Sequence, residues 1–191
     1  MSEIILQPDA AAGKDTYVAS SNPTTNYGGA TTIQTYWDET DPTRRRGLIE
    51  FDLSSIPAGA VISSAILELM VSVNGFSPIV YLYRAITNWI ENTVTWNTQP
   101  GISDLLISSI PPGPGNWHSF DITIAVQNWF TGIWSNQGMM LKLAETGALV
   151  VYAHYYSSDF ATSTSRPKLT INYTLIAGTP KGTLMMMGIG R

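Results

Sequence analysis

AILELMVSV, residues 65–73, alternates two sets of side chains with a period of two. In an extended chain Ala65, Leu67, Leu69, Val71 and Val73 share one face, and Ile66, Glu68, Met70 and Ser72 share the other, so the segment reads as a strand with its first face on a core. KLTINYTL, 168–175, repeats the pattern and places Leu169, Ile171, Tyr173 and Leu175 inward. IVYLYRA (79–85), GMMLKLAE (138–145) and ALVVYAHYY (148–156) are further strands rich in β-branched and aromatic residues. SNPTTNYGG, SIPAG, VNGFSP, NTQPG and IPPGPGN separate such segments with turn chemistry. Nothing between them has the length of a crossover helix. The expected fold is therefore all-β, a two-sheet antiparallel β-sandwich or jelly roll. ITIAVQNWF (122–130) alone looks helical, with Ile122, Val126, Trp129 and Phe130 on one face and Asp121 or Thr123 as the cap, for two turns at most.

The chain has 191 residues, enough for a core that needs no covalent staple, and it has no cysteine, which excludes disulfides and thiolate metal sites. A net charge of −4 with only ten Lys and Arg argues against the basic field that a nucleic-acid partner requires, so no such partner is expected. No apolar run approaches the ~20 residues that span a bilayer, so membrane insertion is not expected. MSEIILQPDAAAG lacks the basic and apolar regions of a conventional signal peptide. The run RRR (44–46), after the acidic WDETD (37–41), reads as a solvated, self-neutralising loop.

Catalytic chemistry is sparsely supplied. The two histidines, His118 and His154, lie in strand-like contexts where a packed or surface role outweighs that of a general base. No phosphate-binding loop, HExxH pattern or marked carboxylate pair appears. An oxygen-ligated structural calcium is compatible with such a module, with Asp9, Asp15 and Asp52 as weak candidate ligands that equally suit turn capping; no other cofactor is expected. Of the six tryptophans, Trp89, Trp96, Trp117 and Trp129 suit packing. Tyr36 and Trp37 before the charged loop, and Trp134 in TGIWSNQG, are better placed to stack on sugar rings, with Arg44 and Arg45 beside the first two.

DTYVASSNPTTNYGGATTIQ, RRGLIEFDLSSIPAGAVISSAILELMVS, YRAITNWIENTVTWNTQP, NWHSFDITIAVQNWFTGIWSNQGMMLKLAE and RPKLTINY, in this order, resemble the DNRLRE-domain family, the disaggregatase-related repeat, from about Gln7 to Tyr173. The resemblance implies a carbohydrate-binding-module-like jelly roll of extracellular and cell-surface proteins, some of whose members bind acidic polysaccharides such as alginate, with no catalytic activity in the module. It also implies framework roles for Arg46, Phe51, Asp52, Leu53, Pro57, Trp89, Trp96, Trp117, Trp129, Arg166 and Pro167.

Beyond the last strand, Gly178, Pro180 and Gly182 mark a linker, so the expected division is a jelly-roll module at 1–175 and a linker with an apolar segment at 176–191. Leu184, Met185, Met186, Met187 and Ile189 in that segment, or Ile4 and Ile5 in SEIILQP, are candidates for completing the sheet of a second copy. The leading expectation is thus a non-enzymatic structural subunit of an extracellular filament or virion surface, polymerised head to tail with copies of itself. The alternative is a stand-alone carbohydrate-binding, adhesive module that meets a surface glycan.

Overall fold

The computed structural model describes residues 1–40, 43–145 and 150–175. Among these residues eleven strands and one α-helix occur in the order β1 (Ser2–Leu6), β2 (Lys14–Ala19), β3 (Thr32–Trp37), β4 (Arg44–Glu50), β5 (Ala60–Gly75), β6 (Val80–Ala85), β7 (Ile102–Ser109), β8 (Trp117–Asp121), α1 (Thr123–Phe130), β9 (Met139–Leu143), β10 (Val151–Tyr156) and β11 (Lys168–Leu175). Every pairing is antiparallel. The first sheet runs β1–β11–β5–β8, and the second runs β5–β10–β3–β4–β9–β6–β7. β2 takes one flank of β4, whose other flank is shared by β3 and β9. The expected all-β sandwich with one short helix is the fold observed.

β5 joins the two layers. Its Ala60–Glu68 stretch pairs with β11 and its Val71–Gly75 stretch with β10, so one 16-residue strand passes from the first sheet into the second. Ala65, Leu67, Leu69 and Val71 are fully buried, as the alternation predicts. Val73 is not, at 39 % exposed. A bulge explains the difference: Tyr155 pairs with Val71 and His154 with Val73, so Ser72 is skipped and the faces exchange beyond it. In β11, Leu169, Ile171 and Tyr173 are buried, whereas Leu175 is exposed after a second bulge between Asn172 and Tyr173. α1 covers the core through Ala125, Val126 and Trp129, with Ile122 buried just before it. The Asp121 carboxylate accepts from Thr123 N and Oγ1 at 3.0 and 2.6 Å, and these bonds hold it below the usual carboxylate range.

RRR (44–46) is a strand rather than a solvated loop: all three arginines are half-buried at the start of β4. SEIILQP supplies β1, which pairs with β11 of the same molecule, and Ile4 packs against the molecule's own core, while Ile5 is exposed. Its intramolecular pairing accounts for an apolar N-terminal strand without a second copy. Leu184, Met185, Met186, Met187 and Ile189 lie outside the described residues. Among the described residues no helix is long and apolar enough to cross a membrane.

Candidate functional site

β3 and β10 set up one face by register. Tyr152 lies opposite Tyr36, His154 opposite Gln34, and Tyr156 opposite Thr32. Cross-strand partners share a face. The alternate residues Ile33, Thr35, Trp37, Ala153 and Tyr155 are all buried in the core, so the tyrosines, Gln34 and His154 project outward and are half-buried. Trp37 is thereby corrected: at 6 % exposure it is a core residue and offers no free ring to a sugar, because the period of two that brings Tyr36 out turns Trp37 in.

Two neighbouring strands extend this face. On β5, Gly75 lies opposite Tyr152, and a Cβ at Gly75 would stand 2.6 Å from the Tyr152 ring. Glycine is thus what lets the ring lie against the backbone of the next strand. On β4, Arg45 lies opposite Tyr36. Its guanidinium is 5.4 Å from the Tyr36 ring and 5.9 Å from that of Tyr17, and Nη1 donates to Gln34 Oε1 at 2.5 Å. Tyr17 in turn stacks on Tyr27 at 4.3 Å. Among the described residues Arg45 has no carboxylate within ion-pair distance. Desolvation first, and then the charge of Arg45, lower the His154 pKa to about 4, so its imidazole is neutral at physiological pH. The result is a strip of phenol rings interrupted by an amide, a neutral imidazole and a guanidinium. Such a surface matches the apolar C–H faces and the hydroxyls of a sugar.

The other candidates are dispersed. Arg44 stands 5.1 Å from the Trp37 ring and 3.6 Å from Glu145. Arg46, a framework position, makes a two-pronged pair with Glu145 at 2.7 and 2.8 Å, donates to Gln99 and covers Trp96. Burial pushes Glu145 up, but Arg46, Lys142 and Arg44 together outweigh it and hold the carboxyl below its ordinary range. Trp134 is half-buried and lines a separate groove of about 600 Å³ together with Ser63, Asp104, Asp121 and Ile124. Arg84 lies 4.4 Å over the Trp134 ring and binds Asp104 at 2.8 Å, which covers one stacking face.

The three proposed metal ligands do not assemble. Asp9 caps a turn through Ala11 N and Ala12 N, and Asp52 caps another through Ser54, both as exposed side chains. Asp15 instead meets Glu91 and Asp159, with one oxygen of each within 4.8 Å of the others. Neither partner carried a motif, because the three positions are joined only by the fold.

A buried pair resembles a catalytic one in composition alone. His118 Nδ1 lies 2.8 Å from the Tyr155 hydroxyl, but His118 is 2 % exposed and Tyr155 0 %, so no polymer reaches them.

The antiparallel pairings define an all-β sandwich with an aromatic strip on the outward face of β3 and β10. The sequence profile of carbohydrate-binding module family 96 matches residues 7–173, and the chain belongs to that family. The match supports the carbohydrate-binding side of the resemblance read from the sequence, and with it the glycan-binding alternative over the filament subunit. The chain is also 28 % identical over 188 aligned positions to the tRNA3(Ser)-specific nuclease WapA of Bacillus spizizenii, and 27 % identical to the tRNA nuclease WapA of Bacillus subtilis strain 168. Each alignment covers 90 % of this chain and 8 % of the relative, so the chain spans a small part of those proteins.

Proposed function

We propose that this chain is a non-catalytic module that holds a polysaccharide on the outward face of β3, β10 and β4, in an extracellular setting. The observation that carries this reading is the row Gly75–Tyr152–Tyr36–Arg45, in which register alone aligns two phenol rings and a guanidinium across four strands. Tyr36 and Tyr152 supply ring faces, and Gln34 and His154 supply hydrogen bonds. Arg45, without a carboxylate partner among the described residues, is the group that meets a sugar carboxylate. The net charge of −4 opposes long-range approach of an acidic chain, so such binding rests on this local contact. The nuclease activity named for the WapA relatives is not proposed for this segment, which spans 8 % of them.

Affinity gel electrophoresis in alginate and in a neutral β-glucan tests the reading. Tyr152→Ala and Arg45→Gln should each weaken retention about 10-fold or more, the worth of one stacking or charge-assisted contact of roughly 1.4 kcal/mol or above. Arg45→Gln should weaken retention selectively in the acidic gel. Unchanged retention in both variants, with loss in Trp134→Ala, would move the site to the groove beside Asp104.

A further inference from the structure

Asp15 is a charged residue placed where water does not reach: it is 1 % exposed at the start of β2. Glu91, from the loop after β6, and Asp159, from the loop after β10, each bring an oxygen to the same point. The contacts around them are few. Ser158 N donates to the Asp15 carboxylate at 3.0 and 3.3 Å, Asp15 N donates to Glu91 Oε1 at 2.8 Å, and Asp159 N donates to Ser157 Oγ at 3.2 Å. Two cations stand nearby, each already engaged. Lys14 favours the charged form of Glu91, but its Nζ sits 2.6 Å from Glu50 and over the Trp89 ring. Arg166 favours the charged form of Asp159, while its Nε donates to the Phe160 carbonyl.

Ser158 is the independent observation. It is fully buried, and its Oγ has no hydrogen-bond partner although it lies close enough to the Asp15 carboxylate to favour the ionised form. Native interiors rarely leave a hydroxyl in that condition unless a water or an ion completes it. Gly13 keeps the hydroxyl where it is, since a Cβ there would collide with Ser158 Oγ and press on the Asp9 carbonyl. Three carboxylates this close are held together by protons or by a cation.

We propose that Asp15, Glu91, Asp159 and the Ser158 hydroxyl form the ligand set of a calcium ion that ties the loops after β6 and β10 to the start of β2. The donors are all oxygen, which selects a hard cation, and irregular loops accommodate calcium's flexible coordination better than the strict octahedron of magnesium. The ion would neutralise the crowded carboxylates and give the Ser158 oxygen a partner. It would link segments more than 60 residues apart in sequence at each step, so its binding energy appears as folding stability.

The full chain, stripped with chelator, is melted in EDTA, in about 5 mM calcium and in about 5 mM magnesium, and terbium luminescence reads the site directly. Calcium at a hundredfold excess over its Kd should raise the melting temperature by about 5–10 °C, with a smaller shift from magnesium. Asp159→Asn, on a half-buried loop residue that leaves the core untouched, should melt as the wild type does in EDTA and lose the calcium shift. Ser158→Ala, which keeps the backbone donor to Asp15, should reduce the shift. Identical melting of the wild type in all three buffers, with terbium emission no greater than that of Asp159→Asn, would overturn the proposal and leave protons as the neutralising species. An equal shift from magnesium would overturn the choice of calcium.

Discussion

At His118 the ring sits 4.0 Å from that of Phe120, Nδ1 faces the Tyr155 hydroxyl, and burial alone lowers the pKa from 6.5 to about 4. The unfolded chain therefore takes up a proton near pH 6.5 that the folded chain refuses until about pH 4. Stability contributed by the neutral ring is complete above 6.5 and is lost as the pH falls through that window. One such group contributes a slope of at most about 1.4 kcal/mol per pH unit. His118→Gln removes the titration together with the Tyr155 contact. In urea titrations the variant should be the weaker protein at pH 7.5, and the gap should close as the pH falls from 6.5 to 4. A gap constant with pH would show that His118 is solvated and titrates normally. His154, lowered to about 4 with Arg45 as a second cause, should behave likewise, and glycan binding would raise or lower its titration if the ligand touches that ring.

β4 shows what one strand can be made to hold. Its first three residues are arginines with different assignments: Arg44 on Glu145, Arg45 on the aromatic face, and Arg46 on Glu145, Gln99 and Trp96. Arg46 ties β4 to the end of β9 and to the turn at Trp96–Thr98. Arg46→Ala should cost about 2–3 kcal/mol, near the lower range for breaking a buried pair, because Lys142 and Arg44 still face Glu145. Arg46→Lys, which keeps the charge but not the fork, should fall between, and urea midpoints measure both. A loss below ~0.5 kcal/mol would make the pair an ordinary surface contact. The strand pattern at 65–71 was legible because burial imposes a strict period, yet Val73 was misread because a single bulge inverts that period and leaves no mark in composition. The arginine run was misread for a related reason. Its ionic partner, Glu145, is 99 residues away, while the local acids suggested self-neutralisation. The candidate site was legible in part: Tyr36 and Arg45 meet as cross-strand partners, but Tyr152, His154, Glu91 and Asp159 enter only through pairings and loops that no local pattern encodes.

On the scale of the molecule, the last described strand completes what the first begins. β11 lies between β1 and β5, and with β8 on the other flank of β5 residues 2–6, 60–70, 117–121 and 168–175 form one layer from four distant parts of the chain. Removing β11 takes Leu169, Ile171 and Tyr173 from the core and leaves β1 without a neighbour. At roughly 1.5–3 kcal/mol for each large apolar side chain, that loss equals a large part of the 5–15 kcal/mol by which domains are stable. A chain ending at Arg166 should therefore show no cooperative thermal transition. A chain ending at Leu175 keeps every described strand and should melt within a few degrees of the full-length protein. Light scattering on the same two longer proteins tests the assembly expectation for residues 183–191 separately from the fold. Equal monomeric masses would leave the aromatic face of β3, β10 and β4 as the module's proposed contact with a partner, whereas a larger mass lost on truncation at Leu175 would add self-association to the proposed glycan binding. A collapse of the melting transition on truncation at Leu175 would instead make residues 176–191 part of the folding unit and would overturn the division at 175.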